Sequence, residues 1–314
     1  FEVAYVGSRG VKLRSTRNLN AVPRQYYSTL PERDQTWINY ISAAVSNPFY
    51  PLLPGTSLAS STVGRSQLLR PFPQFTSISY ATNAGYSSYH SLQTRFEKRF
   101  SAGYTVWVAW TWSKFMEATG FLNETDPGPE YVISDQDRTH RLVASGIYEL
   151  PFGKGKRWLG SARGVAGKVI SGWQVSGIFQ GQSGAALGFG DAIFTGNLNN
   201  IPIPNSQRTI QRWFNVDAGF ERASARQRSW DIRTMPSRFS GIRGDGMNNW
   251  DLSVIKHTYF RERGYVEFRA EFINALNHAQ FTAPNTSPTS TAFGSVSGVA
   301  QFPRIIQLAL RVVF

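Results

Sequence analysis

The 314-residue chain contains no cysteine and carries a formal net charge of +13. The missing cysteine excludes a disulfide framework and a cysteine-held zinc site, and the lack of any apolar run of about 18 residues excludes a transmembrane helix. A positive balance admits nucleic acid, an anionic membrane surface or acidic ligands, but nucleic-acid proteins gather Lys and Arg on one face, whereas here Arg is scattered and interleaved with Glu and Asp, so no nucleic-acid partner is expected.

The chain opens at Phe1 inside an alternating run, which reads as a fragment or a processed chain. Aromatic residues make up 14% of it, alongside 28 glycines and few helix-forming runs, and this balance favours strands. Period-two alternation over roughly ten residues then recurs along the chain, the pattern of strands with two different faces.

In chain order, residues 1–9 form an opening strand. The stretch 75–82 also looks extended and is expected to project beyond the membrane, since an extra spanning strand would break the parity of the turns. Leu92, Thr94, Phe96 and Phe100 then alternate with Gln93, Arg95, Glu97 and Arg99. Tyr104, Val106, Val108, Trp110 and Trp112 follow, and after them Leu142 to Leu150, Trp173 to Phe179, and Leu252 with Val254. Val266, Phe268, Ala270 and Phe272 alternate with Glu267, Arg269 and Glu271. The chain closes on Ile306, Leu308, Leu310, Val312 and Phe314, opposed by Gln307 and Arg311. Lys98 and Lys256 interrupt the apolar faces near strand ends, where a lysine stem can reach an interface.

The faces opposite the apolar ones are too polar for a dry core, and the connections alternate between short and long. The segments 101–103 and 261–264 are short turns, whereas 116–136, 184–247 and 278–302 are long and rich in Gly, Asn, Ser, Thr and Pro. Bacterial outer-membrane barrels have short periplasmic turns and long extracellular loops. Counting back from a periplasmic C-terminus puts both short turns on the periplasmic side, with 151–170 as a longer periplasmic linker. The pattern predicts an all-β fold: an antiparallel transmembrane β-barrel in the bacterial outer membrane, of which residues 1–314 are a C-terminal partial barrel of about eight long strands. Arg95, Glu97, Arg99, Glu267, Arg269, Glu271 and Arg311 are expected to face the lumen and to pair with opposite charges across strands.

Motifs that suggest chemistry have plainer readings. "FGKGK" (152–156) lacks the spacing of a phosphate loop and reads as a turn. In "DQDRTHR" (135–141), Asp135, Asp137 and His140 offer cation ligands, but a strand start pairing its acids with Arg138 and Arg141 is favoured. Glu124, Asp126 and Glu130 read as a solvated loop, and His90, His140, His257 and His278 share no ligand spacing, His278 marking a strand end. Trp213, Phe214, Trp230, Asn248 and Asn249 suit a sugar site and loop packing equally well. No catalytic constellation is recognisable, so no enzyme activity, cofactor or metal is expected.

Nine segments in order resemble the C-terminal barrel of TonB-dependent receptors, in the branch with an N-terminal carboxypeptidase-regulatory-like domain. They are "AYVGSRGVKL" (4–13), "YHSLQTRFEKRFSAGYTV" (89–106), "WTWSK" (110–114), "DQDRTHR" (135–141), "YELPFGKGKRW" (148–158), "SGWQVSGIFQGQSG" (171–184), "NNWDLSVIKH" (248–257), "FRAEFINALNHAQF" (268–281) and "RIIQLALRVVF" (304–314). The long loops 14–74 and 185–240 match poorly. The resemblance implies a gated transporter importing a bulky nutrient, with outer-membrane lipid as its surroundings and TonB as a partner through an N-terminal part outside this sequence. Such barrels have about 22 strands and a plugged lumen. The terminal segment, with Ile306, Leu308, Leu310, Val312 and Phe314, resembles the signal read by the barrel-assembly machinery. The alternatives are a structural or surface-display barrel for adhesion or export, and a soluble β-rich binding domain.

Overall fold

The computed structural model of the chain describes residues 1–260 and 264–314. Eight strands form one antiparallel meander: β1 Glu2–Asn18, β2 Ser79–Ser101, β3 Tyr104–Ala118, β4 His140–Glu149, β5 Trp173–Gln182, β6 Met247–Tyr259, β7 Tyr265–Ile273 and β8 Ile305–Val313. Each pairs only with its neighbours in the chain, and a two-residue strand, Val132–Ile133, adds to the end of β3. The outer edges of β1 and β8 carry no partner strand among the described residues, so the sheet is open.

The strands extend beyond the apolar alternation. β2 has 23 residues and β1 has 17, and Leu13 to Asn18 pair with Gly85 to Ser79. The second half of the expected separate extension at 75–82 is therefore the first part of β2 itself, and the opening strand runs to Asn18 instead of ending at residue 9. A backbone ladder needs no apolar side chains, so Ser, Asn and Gly residues pair as well as Val and Phe do once two strands are aligned. A strand crosses a membrane in about 9–11 residues, so this ribbon projects well beyond that depth. Its register slips on either side of Leu13, next to Lys12 at φ 55°, and Gly85 allows the close approach there: a Cβ on it would sit 2.8 Å from the Leu13 carbonyl oxygen.

The connections sort by end. Ala102 and Gly103, both at positive φ (53° and 84°), close the two-residue turn between β2 and β3, the backbone that suits the strand twist of a tight hairpin. Residues 150–172 lie at the same end, as does the connection from β6 to β7, of which Arg261, Glu262 and Arg263 lie outside the described residues. The four long connections, 19–78, 119–139, 183–246 and 274–304, all lie at the opposite end. Helix is confined to connections: α1 Gln35–Ser42, capped by Asp34; α2 Arg65–Leu68; and α3 Gly164–Ile170.

The largest apolar core is not in the sheet. Phe189, Ile201, Trp213, Phe214, Phe220, Met235, Ile242 and Phe293 form it, all from the long connections; Ile242 lies in the short strand Phe239–Arg243 within one of them. A single sheet layer has no second layer to pack on. Loops that stand in water have to bury their own apolar surface to stay ordered.

Candidate functional site

Successive residues of a strand point to opposite sides, so the register decides which side chains share a face. It can be followed from strand to strand across all seven pairings, with irregularities around Leu13 in β1 and between Lys98 and Ser101 in β2. One row runs Glu2, Arg95, Ala109, Val143, Gln180, Asn249, and a second runs Thr105, Ile147, Ser176, Ser253, Glu271, Gln307. Glu267 stands between His257 and Arg311 in the same way. By alternation Glu97 and Arg269 belong to this polar face too, so the register brings six of the seven candidate charged residues to one side of the sheet; Arg99 lies where the ladder between β2 and β3 is irregular, between Lys98 and Ser101.

The other side is apolar along its whole width. Phe96, Val108, Ala144, Phe179 and Trp250 form one row, and Tyr104, Tyr148, Val175, Val254, Ala270 and Leu308 another. Ile306, Leu308, Leu310 and Val312 lie here, and Leu310 is 70% exposed. Apolar surface this extensive is not left bare to water by a soluble monomer.

The charged residues do not pair as expected. Arg95 meets Glu97 at 2.6 Å, and Arg269 meets Glu267 at 2.9 Å and Glu271 at 3.5 Å, all along their own strand. His257 to Glu267, at 3.1 Å, is the cross-strand contact. Arg311 lies directly opposite Glu267 in register, yet it forms no ion pair among the described residues. Residues two apart on one face of a strand are within reach of a long guanidinium, so Arg269 holds both of its acidic neighbours at once and makes a ladder along β7.

The lysines that interrupt the apolar face are both satisfied by backbone oxygens at the short-turn end. Lys98 Nζ donates to the carbonyls of Ser101 (2.8 Å) and Tyr104 (3.2 Å). Lys256 is buried and donates to the carbonyls of Lys168 (2.7 Å), Ser171 and His257.

At the other end the four long connections are tied into one assembly. Asp137 is fully buried and accepts from the Arg243 guanidinium and from the Phe115 N–H, both at 2.6 Å. Its partner is therefore not Arg138 or Arg141; Arg138 instead donates to the Asp135 and Asp137 carbonyls. Arg238 pairs with Glu117 at 2.6 Å. The acids read as a solvated patch act as tethers: Glu124 accepts from the Asn18 N–H, Asp126 pairs with Arg24 at 2.7 Å, and Glu130 accepts from the Ser237 N–H. Asn123 and Arg233 exchange hydrogen bonds across 110 positions. Ser28 and Ile232 are joined through their backbones, next to Asp231. There, burial raises the Asp231 carboxyl above its ordinary range, outweighing Arg228 at 3.3 Å, which pulls it down.

The other sequence candidates resolve into packing. Trp213 and Phe214 are core residues, and Trp230 lies against Tyr27. Asn249 contacts Asp251 and Gln301. "FGKGK" is a turn with Gly153 and Gly155 at positive φ, and Lys156 bonds Glu149. His278 lies beyond the end of β7, its N–H held by Asn274. Sequence reasoning missed Arg238 and Arg243, because their partners lie over 100 positions away and no local pattern marks such a pair.

No curated protein and no solved structure matches the chain. The profile of the outer membrane beta barrel domain matches residues 1–307. With an open antiparallel sheet, one apolar face and one charged face, and long loops gathered at one end, the chain belongs to the outer membrane beta barrel domain family and resides in the bacterial outer membrane.

Proposed function

We propose that the chain is the C-terminal wall of a TonB-dependent receptor that imports a bulky nutrient through a gated barrel. The observation that carries this reading is the sheet itself: eight meander strands, open at both edges, with one face that carries the Arg and Glu residues. Backbone groups at an open edge are unsatisfied in lipid, so β1 and β8 call for further strands and a barrel wider than eight strands closed alone. A wide barrel has a polar lumen, which the row of Arg and Glu residues would line. The nine segments that resemble this receptor class run through the same strands in the same order.

In this reading the charged residues of that face meet a lumen and not a dry core, no catalytic chemistry takes place, and the packed loops form the outer mouth where cargo arrives. TonB, contacted through an N-terminal part, is the energy-coupling partner, and the barrel-assembly machinery reads β8. The alternative, a structural or surface-display barrel, shares the wall but needs no coupling.

The test is a binding measurement between the full-length protein in detergent and the purified periplasmic domain of TonB, paired with conductance in planar bilayers. A TonB complex together with a barrel that conducts only after deletion of its N-terminal plug supports import. Absence of a TonB complex would leave the display reading in its place.

A further inference from the structure

The connection 150–172, between β4 and β5 at the short-turn end, contains five cations and no acid. Its helix α3 is not tucked under the charged face. Trp173 Nε1 donates to the Val169 carbonyl at 2.8 Å, and Lys256 Nζ donates to the carbonyls of Lys168 and Ser171. Trp173 and Lys256 are register partners on the apolar face of the wall, in the row with Phe268 and Leu310. The last carbonyls of a helix need donors from outside it, and here both donors come from the lipid side. The helix is therefore pinned to the outer surface of the barrel, at the level where the strands end.

What α3 and its approach present there is amphipathic. Val165 is 80% exposed and Val169 60%, one turn apart on one face, and Trp158 and Leu159 precede them, also exposed. Of the cations, Lys156 is held by Glu149. Lys154, Arg157, Arg163 and Lys168 form no ion pair among the described residues. Lys154, Ser161, Arg163, Lys168, Ser171 and the outward-facing Thr258 line a concavity of about 850 Å³ beside the helix.

We propose that this element is a binding site for an anionic glycerophospholipid of the periplasmic leaflet. The lipid phosphate sits among Lys154, Arg163 and Lys168, and an acyl chain runs past Val165 and Val169 onto the apolar wall. A short helix with basic residues beside an exposed apolar face lies in the membrane interface and not in bulk water, and cations at that depth attract anionic headgroups. The barrel would thereby hold a fixed depth at its periplasmic rim.

The experiment uses the full-length protein in mild detergent, mixed with phosphatidylglycerol or phosphatidylcholine and weighed by native mass spectrometry. Retention of phosphatidylglycerol over phosphatidylcholine is expected. In K154Q/R163Q/K168Q it should fall about a hundredfold, since each cation near an anionic surface contributes about fivefold in affinity. Unchanged retention in the variant, equal retention of both lipids, or displacement by millimolar inorganic phosphate overturns the proposal. A second measurement does not depend on the triple variant folding. The chain lacks cysteine, so V165C takes a fluorophore at one position within it. In nanodiscs, quenching by spin-labelled acyl chains supports the placement, and quenching by iodide in the water instead overturns it.

Discussion

The Asp137 carboxylate, fully buried beside the end of β3, accepts from the Arg243 guanidinium at 2.6 Å, from a position 106 residues away. That contact latches the longest loop to the start of β4. Removing one partner of a buried ion pair costs about 3–5 kcal/mol, because the remaining charge is stranded. Arg243→Ala should therefore loosen the assembly of long loops while leaving the sheet intact. The measurement is limited proteolysis of intact cells: cleavage within 183–246 should accelerate, with the heat-modifiable mobility of the barrel unchanged. Arg238→Ala, whose pair with Glu117 is more exposed, should do the same more weakly.

Leu308 and Gln307 are neighbours on β8 that face opposite sides. Leu308 pairs with Ala270 on the apolar face, and Gln307 lies opposite Glu271 on the charged one. An Arg at mid-membrane on a lipid face costs about 2–4 kcal/mol. Leu308→Arg should lose that much stability in a urea titration in vesicles, whereas Gln307→Arg, set opposite an acid, should stay near wild type. Equal penalties would mean that the two faces are not lipid and water.

Phe314 follows the last strand and is almost wholly exposed, its ring 6.5 Å from that of Phe260 at the short-turn end. Little of its contact area lies within the chain, so deletion should barely alter the stability of barrels already assembled. If the strand is the assembly signal, the same deletion should sharply lower the amount of full-length protein recovered in outer-membrane fractions. Undiminished recovery would remove that role.

Asp231 sits where the loop carrying Ser28 meets the longest loop, near Arg228 and Asp191, with its carboxyl raised by burial. A carboxyl raised in the folded state binds its proton more tightly there than in the unfolded chain. Its contribution to stability is then fully present below the ordinary carboxylate range and is lost as pH rises through its raised value. The junction should be tightest below the ordinary carboxylate range and loosen as pH rises through the raised value. Hydrogen exchange at the Ser28 and Ile232 amides, corrected for intrinsic rates, should show this slope, and Asp231→Asn should flatten it.

The sequence alone determined the strands and their two faces. A side-chain period of two is a local property of extended backbone, so Ile306 to Phe314 and Glu267 to Glu271 could be sorted without knowing what they pair with. That the two strands share their faces was decided by the register, because β7 and β8 are joined by the long connection 274–304, which does not fix their phase. The sequence also placed the long connections at one end, since that depends only on counting. What only the tertiary structure decided was everything fixed by distant partners. Asp137 takes Arg243 and not the arginines beside it. Arg269 takes the acids of its own strand, while Arg311 stands opposite Glu267 without pairing. Trp213 and Phe214 are buried in a loop core instead of lining a sugar site, and Lys256 bonds the end of a helix instead of reaching for water. Apart from Arg269, whose partners stand two residues away on its own strand, each of these is settled by geometry between segments far apart in the chain, where nothing in the local sequence records which partner is nearest.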